Sequence, residues 1–120
     1  MNFVSYNTFN SYIDHTIKRI AHSNMKFDAV VPVFRSGMIP SFKIAEVFNV
    51  PIIASGKLYG GERLVKDRNI KSVLLVDDSI LSGKAMHKAY QELKSYFNGV
   101  IYTCAIIATP QNSKNMVLGS

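Results

Sequence analysis

The spacing of apolar and polar positions changes several times along the chain, and each change marks an element. Phe9, Tyr12, Ile13, Ile17 and Ile20 recur at three- and four-residue intervals, which predicts an amphipathic helix over residues 8–21. Asn7 or Thr8 serves as its N-cap, and Asn10, Asp14, Lys18 and Arg19 lie on its polar face. Residues 28–34 form a nearly continuous apolar run, as expected of a buried strand. Pro32 within it cannot donate to a ladder, so it belongs near the strand's end or beside a gap in the pairing. Residues 35–37 read as a tight turn. A helix is expected from about 39 to 48, with Pro40 in its first turn and Ile39, Phe42, Ala45 and Phe48 as its apolar stripe.

Residues 50–54 read as a second, short strand. The stretch 55–72 is polar and glycine-bearing, with a weak strand expected at 63–65. Val73, Leu74, Leu75 and Val76 make an unbroken apolar run of the kind a central parallel strand requires. After a turn, a helix is expected over about 83–97, with Met86, Ala89, Tyr90, Leu93 and Phe97 facing inward and Asn98 and Gly99 ending it. Residues 100–108 form a fourth strand, and 110–120 carry little pattern.

Strands alternating with helices imply right-handed parallel crossovers. The expected fold is therefore α/β: one domain over residues 1–120, doubly wound, with a mainly parallel sheet and helices on both faces. In such sheets ligands bind outside the carboxyl ends of the strands. Two segments with unusual chemistry fall there, 34–37 and 77–84.

Charge narrows the partner. The 14 Lys and Arg against 8 Asp and Glu leave a formal net charge of +6, which suits an anion. The cations are scattered, and no basic run or arginine–aromatic motif marks a nucleic-acid module. Cys104, the single cysteine, sits in an apolar run and reads as a buried, inert thiol. The opening residues lack the basic start and apolar block of a signal peptide, and no apolar run approaches a membrane span. A soluble, cytoplasmic protein is expected, with no membrane partner.

The segment VLLVDDSILSGKAM at 73–86 carries the chemistry. Two acids end a buried strand, and a loop with Ser79, Ser82 and Gly83 leads into a helix. Backbone N–H groups of such a loop, together with the helix N-terminus, form an anion site. Paired acids beside it can hold ribose hydroxyls directly, or through Mg²⁺ and water. The same residues admit three other readings. A response-regulator receiver opens on a similar strand, but too little chain follows Asp77 for that fold. A Walker A loop needs a glycine where Asp78 stands and a hydroxyl where Ala85 stands. The plainest alternative makes Asp77 and Asp78 a helix cap and a surface charge.

This segment resembles the phosphoribosyl-pyrophosphate motif of type I phosphoribosyltransferases. Asp77 and Asp78 match the family's acidic pair, and Leu81, Ser82, Gly83, Lys84 and Ala85 match its 5′-phosphate loop, with Ser79 and Ile80 between. Upstream, VPVFRSGMIP at 31–40 looks like the family's pyrophosphate loop. The likeness runs over about residues 28–108, and two motifs in the right order are stronger than either alone. It implies a Mg²⁺-dependent transferase that moves a phosphoribosyl group from phosphoribosyl pyrophosphate to a nitrogenous base or related acceptor. It also implies a substrate-binding set of Phe34, Arg35, Ser36, Gly37, Asp77, Asp78 and residues 79–85. Arg35, with exposed N–H groups at Ser36 and Gly37, would meet the pyrophosphate. Lys57, Arg63 and Lys66 occupy the place of the family's mobile catalytic loop, where Lys57 and Arg63 would join Arg35 in catalysis. Asp77 and Asp78 would reach the metal mostly through ribose hydroxyls and water. A homo-oligomer such as a dimer, or a larger assembly, is expected.

Three departures qualify that picture. Leu81 stands where purine-salvage members often carry a proton-handling Asp. Ala85 stands where a hydroxyl usually donates to the 5′-phosphate, forfeiting a bond worth about 1.5–3 kcal/mol. The hood, the family's lobe for recognising the base, is expected to be missing or reduced. These features keep a second reading open: a regulatory or accessory domain that binds phosphoribosyl pyrophosphate or a nucleotide without turning it over.

Overall fold

The computed structural model describes residues 6–54, 61–80 and 83–108. In chain order the elements are α1 (Tyr6–His22), β1 (Ala29–Pro32), α2 (Met38–Phe48), α3 (Gly61–Asp67), β2 (Ser72–Ile80), α4 (Lys84–Lys94) and β3 (Val100–Ala108). The strands form one parallel sheet in the order β1-β2-β3, with Val31 opposite Leu75 and Val76 opposite Cys104.

Successive side chains of a strand point to opposite faces, so a strand buried on both sides must be apolar throughout. On β2, Val73 and Leu75 join one core cluster, while Leu74 and Val76 join the other. Ile13 and Ile20 of α1 and Ile44 and Ala45 of α2 cover the second face. Val65 of α3 and Met86 and Leu93 of α4 cover the first. Helices lie on both faces, as the sequence predicts.

Four expectations change. Residues 50–54 do not form a full strand. They reach the sheet as a single parallel bridge, Val30 to Ile52, with Val30 N–H donating to the Pro51 carbonyl and Ile53 N–H to the Val30 carbonyl, both at 2.9 Å. Pro51 has no N–H with which to extend the ladder. Residues 63–65 lie on the helix α3 rather than on a strand. The fourth helix stops at Lys94, where the Ser95 hydroxyl donates to the Glu92 carbonyl at 2.6 Å and competes with helical continuation. The predicted stripe of α2 is also wrong at its start. Pro40, Ser41, Ile44 and Ala45 are buried, while Ile39 and Phe42 face outward.

Pro32 sits where its missing donor is harmless. Backbone groups alternate sides along a strand, so position 32 faces the same edge as Val30, beyond the point where pairing with residue 52 has stopped. The next inward-facing donor, Val33 N–H, reaches the Val76 carbonyl at 2.7 Å. Asn24, Asn49 and Asn69 follow α1, α2 and α3 in left-handed conformation, a residue type that tolerates helix-ending geometry. Cys104 is buried as expected, and burial pushes its thiol up to about 12, far from the reactive thiolate.

Candidate functional site

The path of the chain creates a crevice at one point. After β1 it enters α2, which packs on one face of the sheet. After β2 it enters α4, which packs on the other. Where neighbouring parallel strands send their helices to opposite faces, the connecting loops part and leave an opening above the strand ends. The loop after β1 contains residues 34–37, and the carboxyl-terminal half of β2 contains Asp77 and Asp78. The two segments singled out in the sequence thus flank the same opening.

They also touch. Ser36 Oγ donates to Asp77 Oδ1 at 3.4 Å, linking residues 41 positions apart. Asp77 is 5% exposed, and its Oδ1 also accepts the Asp78 N–H at 2.7 Å. Burial pushes the Asp77 carboxyl up to about 6. A side-chain hydrogen bond with Asp78 and that residue's charge add to the rise, while the Asp78 N–H and the Ser36 hydroxyl oppose it. Asp78 is only half-buried, so the pair offers one sheltered and one accessible carboxyl.

Gly37 is required by close packing. A Cβ there would lie 2.3 Å from the Val76 carbonyl oxygen and 2.6 Å from that of Val33. The expected exposed N–H at this residue does not hold: Gly37 is buried, and its N–H donates to the Val33 carbonyl at 2.9 Å. Phe34, Arg35 and Ser36 are exposed, and the Phe34–Arg35 peptide bond is cis. The loop therefore presents side chains, with Gly37 as the pivot that lets it fold back onto β1 and β2.

The acids do not end their strand. β2 runs on to Ile80 because β3 continues beside it, pairing Asp77 with Ala105, Ser79 with Ile107 and Ile80 with Ala108. Leu81 and Ser82, expected in the phosphate loop, lie outside the described residues, as does Lys57. Gly83 takes φ +79°, a left-handed conformation, and starts α4 without any side-chain cap. Lys84 and Ala85 are exposed on the first turn, and buried Met86 fixes that turn to the sheet. Neither α2 nor α4 carries an acidic residue in its first turn. Both helices thus bring the electropositive end of their dipole to the strand termini, which favours an anion there.

Arg63 is exposed on α3, with Val65 of the same helix packed beneath. Lys66 pairs with Glu62 at 3.9 Å on that surface, an exposed pair that contributes little. Among the described residues no group of three or more His, Cys, Asp and Glu side chains could hold a metal ion. None of their helices is long and apolar enough to cross a membrane.

No family model and no curated protein sequence matches the chain. Solved structures do. The xanthine-guanine-hypoxanthine phosphoribosyltransferase of Helicobacter pylori superposes with a TM-score of 0.70 at 20% identity, over 88% of this chain and 76% of that one. A purine phosphoribosyltransferase from Pyrococcus horikoshii gives 0.68 at 18%, over 93% and 81%. A hypothetical protein from Neisseria gonorrhoeae, solved with bound ppGpp, gives 0.72 at 17%, over 89% and 82%. The chain has the type I phosphoribosyltransferase fold.

Proposed function

We propose that this protein is a phosphoribosyltransferase, transferring the phosphoribosyl group of phosphoribosyl pyrophosphate to a nitrogenous base or related acceptor, with release of pyrophosphate, in the cytoplasm. One observation carries the reading. At the crevice between β1 and β2, the 34–37 loop meets the Asp77 and Asp78 pair through the Ser36 bond, with the uncapped start of α4 beyond. A phosphorylated ribose needs these three things together: donors for its phosphate, carboxylates for its hydroxyls, and a cationic loop for the leaving group.

Asp78 would grip a ribose hydroxyl directly, and Asp77, ionised above about pH 6, would grip the second. The start of α4, from Gly83 to Ala85, would hold the 5′-phosphate. Arg35 would bind the pyrophosphate as the bond from C1 to its oxygen breaks and the acceptor nitrogen bonds to C1, losing its proton. Two adjacent carboxylates, with no third protein ligand among the described residues, suit a Mg²⁺ ion held chiefly by substrate oxygens and water. When bound, that ion would supply charge neutralisation for the departing pyrophosphate.

A second reading has its own support. Leu81 and Ala85 weaken the case for turnover, and the Neisseria neighbour was solved with a nucleotide bound. On that reading the crevice binds phosphoribosyl pyrophosphate or a nucleotide as a sensor. Calorimetry with phosphoribosyl pyrophosphate, with and without Mg²⁺, tests the shared claim; binding is expected only with the metal. Pyrophosphate release across a panel of bases then separates the two. Binding without release for any acceptor sinks the enzyme, and no binding at all sinks both. Asp77→Asn with Asp78→Asn should abolish the metal-dependent binding while the fold survives; equal affinity in the double variant would refute the assignment of the acids.

A further inference from the structure

The two sides of the sheet differ in charge. On the side of α3 and α4, residues 61–71 and 83–98 carry seven Lys and Arg against three Asp and Glu; on the side of α1 and α2, residues 6–28 and 38–49 carry four against three. Cations that are spread along the sequence are thus gathered by the fold. The fourth helix concentrates them further. At 100° per residue, Lys84, His87, Lys88, Gln91 and Lys94 fall in one arc of about 120°, opposite the buried Met86 and Leu93. All five are exposed and form a strip about 15 Å long. No acid lies on it, and Glu92 stands at its margin. Midway along, Gln91 Nε2 lies 3.4 Å from His87 Nε2. Lys88 and Lys94 enter no ion pair among the described residues.

A merely solvated helix face mixes the two signs at four-residue spacing. Here Lys84 and Lys88 repel at that spacing, and Lys84 stands in the first turn, where the dipole disfavours a cation. Lys84 has a use beside Gly83 at the proposed 5′-phosphate site. Lys88 and Lys94, further along the helix, have none there. Charge of one sign, held against local preference, points to an anion outside the crevice.

The composition of the strip narrows that anion. A helix that lies on a membrane needs apolar side chains to insert among the lipids, and a protein interface needs an apolar or aromatic centre. The strip has neither. Lysines with neutral donors between them suit a phosphodiester backbone: the cations meet phosphates, and His87 and Gln91 reach phosphate or sugar. We infer that the outer face of α4 is a nucleic-acid surface, which binds the sugar–phosphate backbone without reading sequence.

The test is fluorescence anisotropy of a labelled single-stranded RNA of about 20 nucleotides, and of a duplex DNA of the same length, titrated with the full chain over a range of salt. At physiological salt the parent should bind one or both with a Kd of about 1–100 μM; the tighter of the two identifies the nucleic acid. For the single strand, three phosphate contacts give a slope of about −2 in log K against log salt. Lys88→Gln with Lys94→Gln should weaken binding about tenfold and make that slope shallower by about 1.4. Lys18→Gln with Arg19→Gln removes the same charge from α1, on the opposite side of the sheet, and should stay within about threefold of the parent. Glutamine keeps these exposed positions helical, and circular dichroism verifies folding. Vesicles containing phosphatidylserine should not bind. A parent that binds neither nucleic acid overturns the inference. So do equal losses in the two double variants, which would make net charge the cause, and vesicle binding as strong as that of nucleic acid.

Discussion

A Cβ on Gly37 would come within 2.3 Å of the Val76 carbonyl oxygen. That oxygen is already engaged, accepting the Val33 N–H at 2.7 Å, and so cannot swing away without parting β1 from β2. The end of the sheet and the turn above it are therefore built as one unit.

Gly37→Ala is expected to cost about 2 kcal/mol or more, because the atoms in its way are backbone and cannot change rotamer. Urea denaturation would show the midpoint falling. Stability equal to the parent would mean that the loop does not approach β2 so closely.

Gly83 makes the opposite case. Nothing lies within 4 Å of a Cβ there, but its φ of +79° disfavours any L side chain. Gly83→Ala should cost about 1 kcal/mol, and Gly83→Asn less, since asparagine tolerates the left-handed region better. The ranking Gly, Asn, Ala in thermal melts is the check; a reversed order would contradict the conformation of this residue.

Asp77 gives stability a pH dependence with a definite sign. Its folded pKa, about 6, lies above the ordinary 3.8, so the folded state holds this proton more tightly than the unfolded state. The contribution is fully present below about pH 4 and is lost as pH rises through 6. Asp77→Asn removes the titration. It should be more stable than the parent by on the order of 1–3 kcal/mol above pH 7, with the gap closing toward pH 4. Melting both proteins across this range tests the point; a gap that widens in acid would reverse the sign and defeat it.

Asp28 supplies a control remote from the crevice. Its Oδ2 accepts the N–H groups of Lys71 and Ser72 at 2.9 and 3.1 Å, pinning the start of β2. Asp28→Ala should cost about 1 kcal/mol and leave the affinity for phosphoribosyl pyrophosphate unchanged in protein that remains folded. A fall in affinity matching that of the Asp77 variants would show that binding merely reports stability.

How much of this was legible in the sequence depended on the range of the interactions. The run from Val73 to Val76, four apolar residues bounded by polar ones, matched a short strand covered on both sides. The continuation of β2 to Ile80 was hidden, because pairing with β3 is a backbone matter that side chains do not advertise. The seven residues of α3 are too few to show a helical period, and Arg63, Leu64 and Val65 alone suit a strand equally well. On α2 the apolar residues occur nearly all round, so periodicity could not say which of them face the sheet; packing chose Ile44 and Ala45 and left Ile39 and Phe42 outside. At the crevice, the motifs gave the residue types and their order. The bond from Ser36 to Asp77 and the close approach that demands Gly37 join distant parts of the chain and came only with the fold.

β2 does two jobs along its length, filling both core layers with residues 73–76 and presenting the acids immediately afterwards. A molecule that clasps Asp77 would therefore tighten the segment whose amides should exchange most slowly with solvent. Deuterium uptake would then fall not only around the crevice but also in α1, which packs on the face that carries Leu74 and Val76, so occupancy could be read from a helix that never meets the ligand.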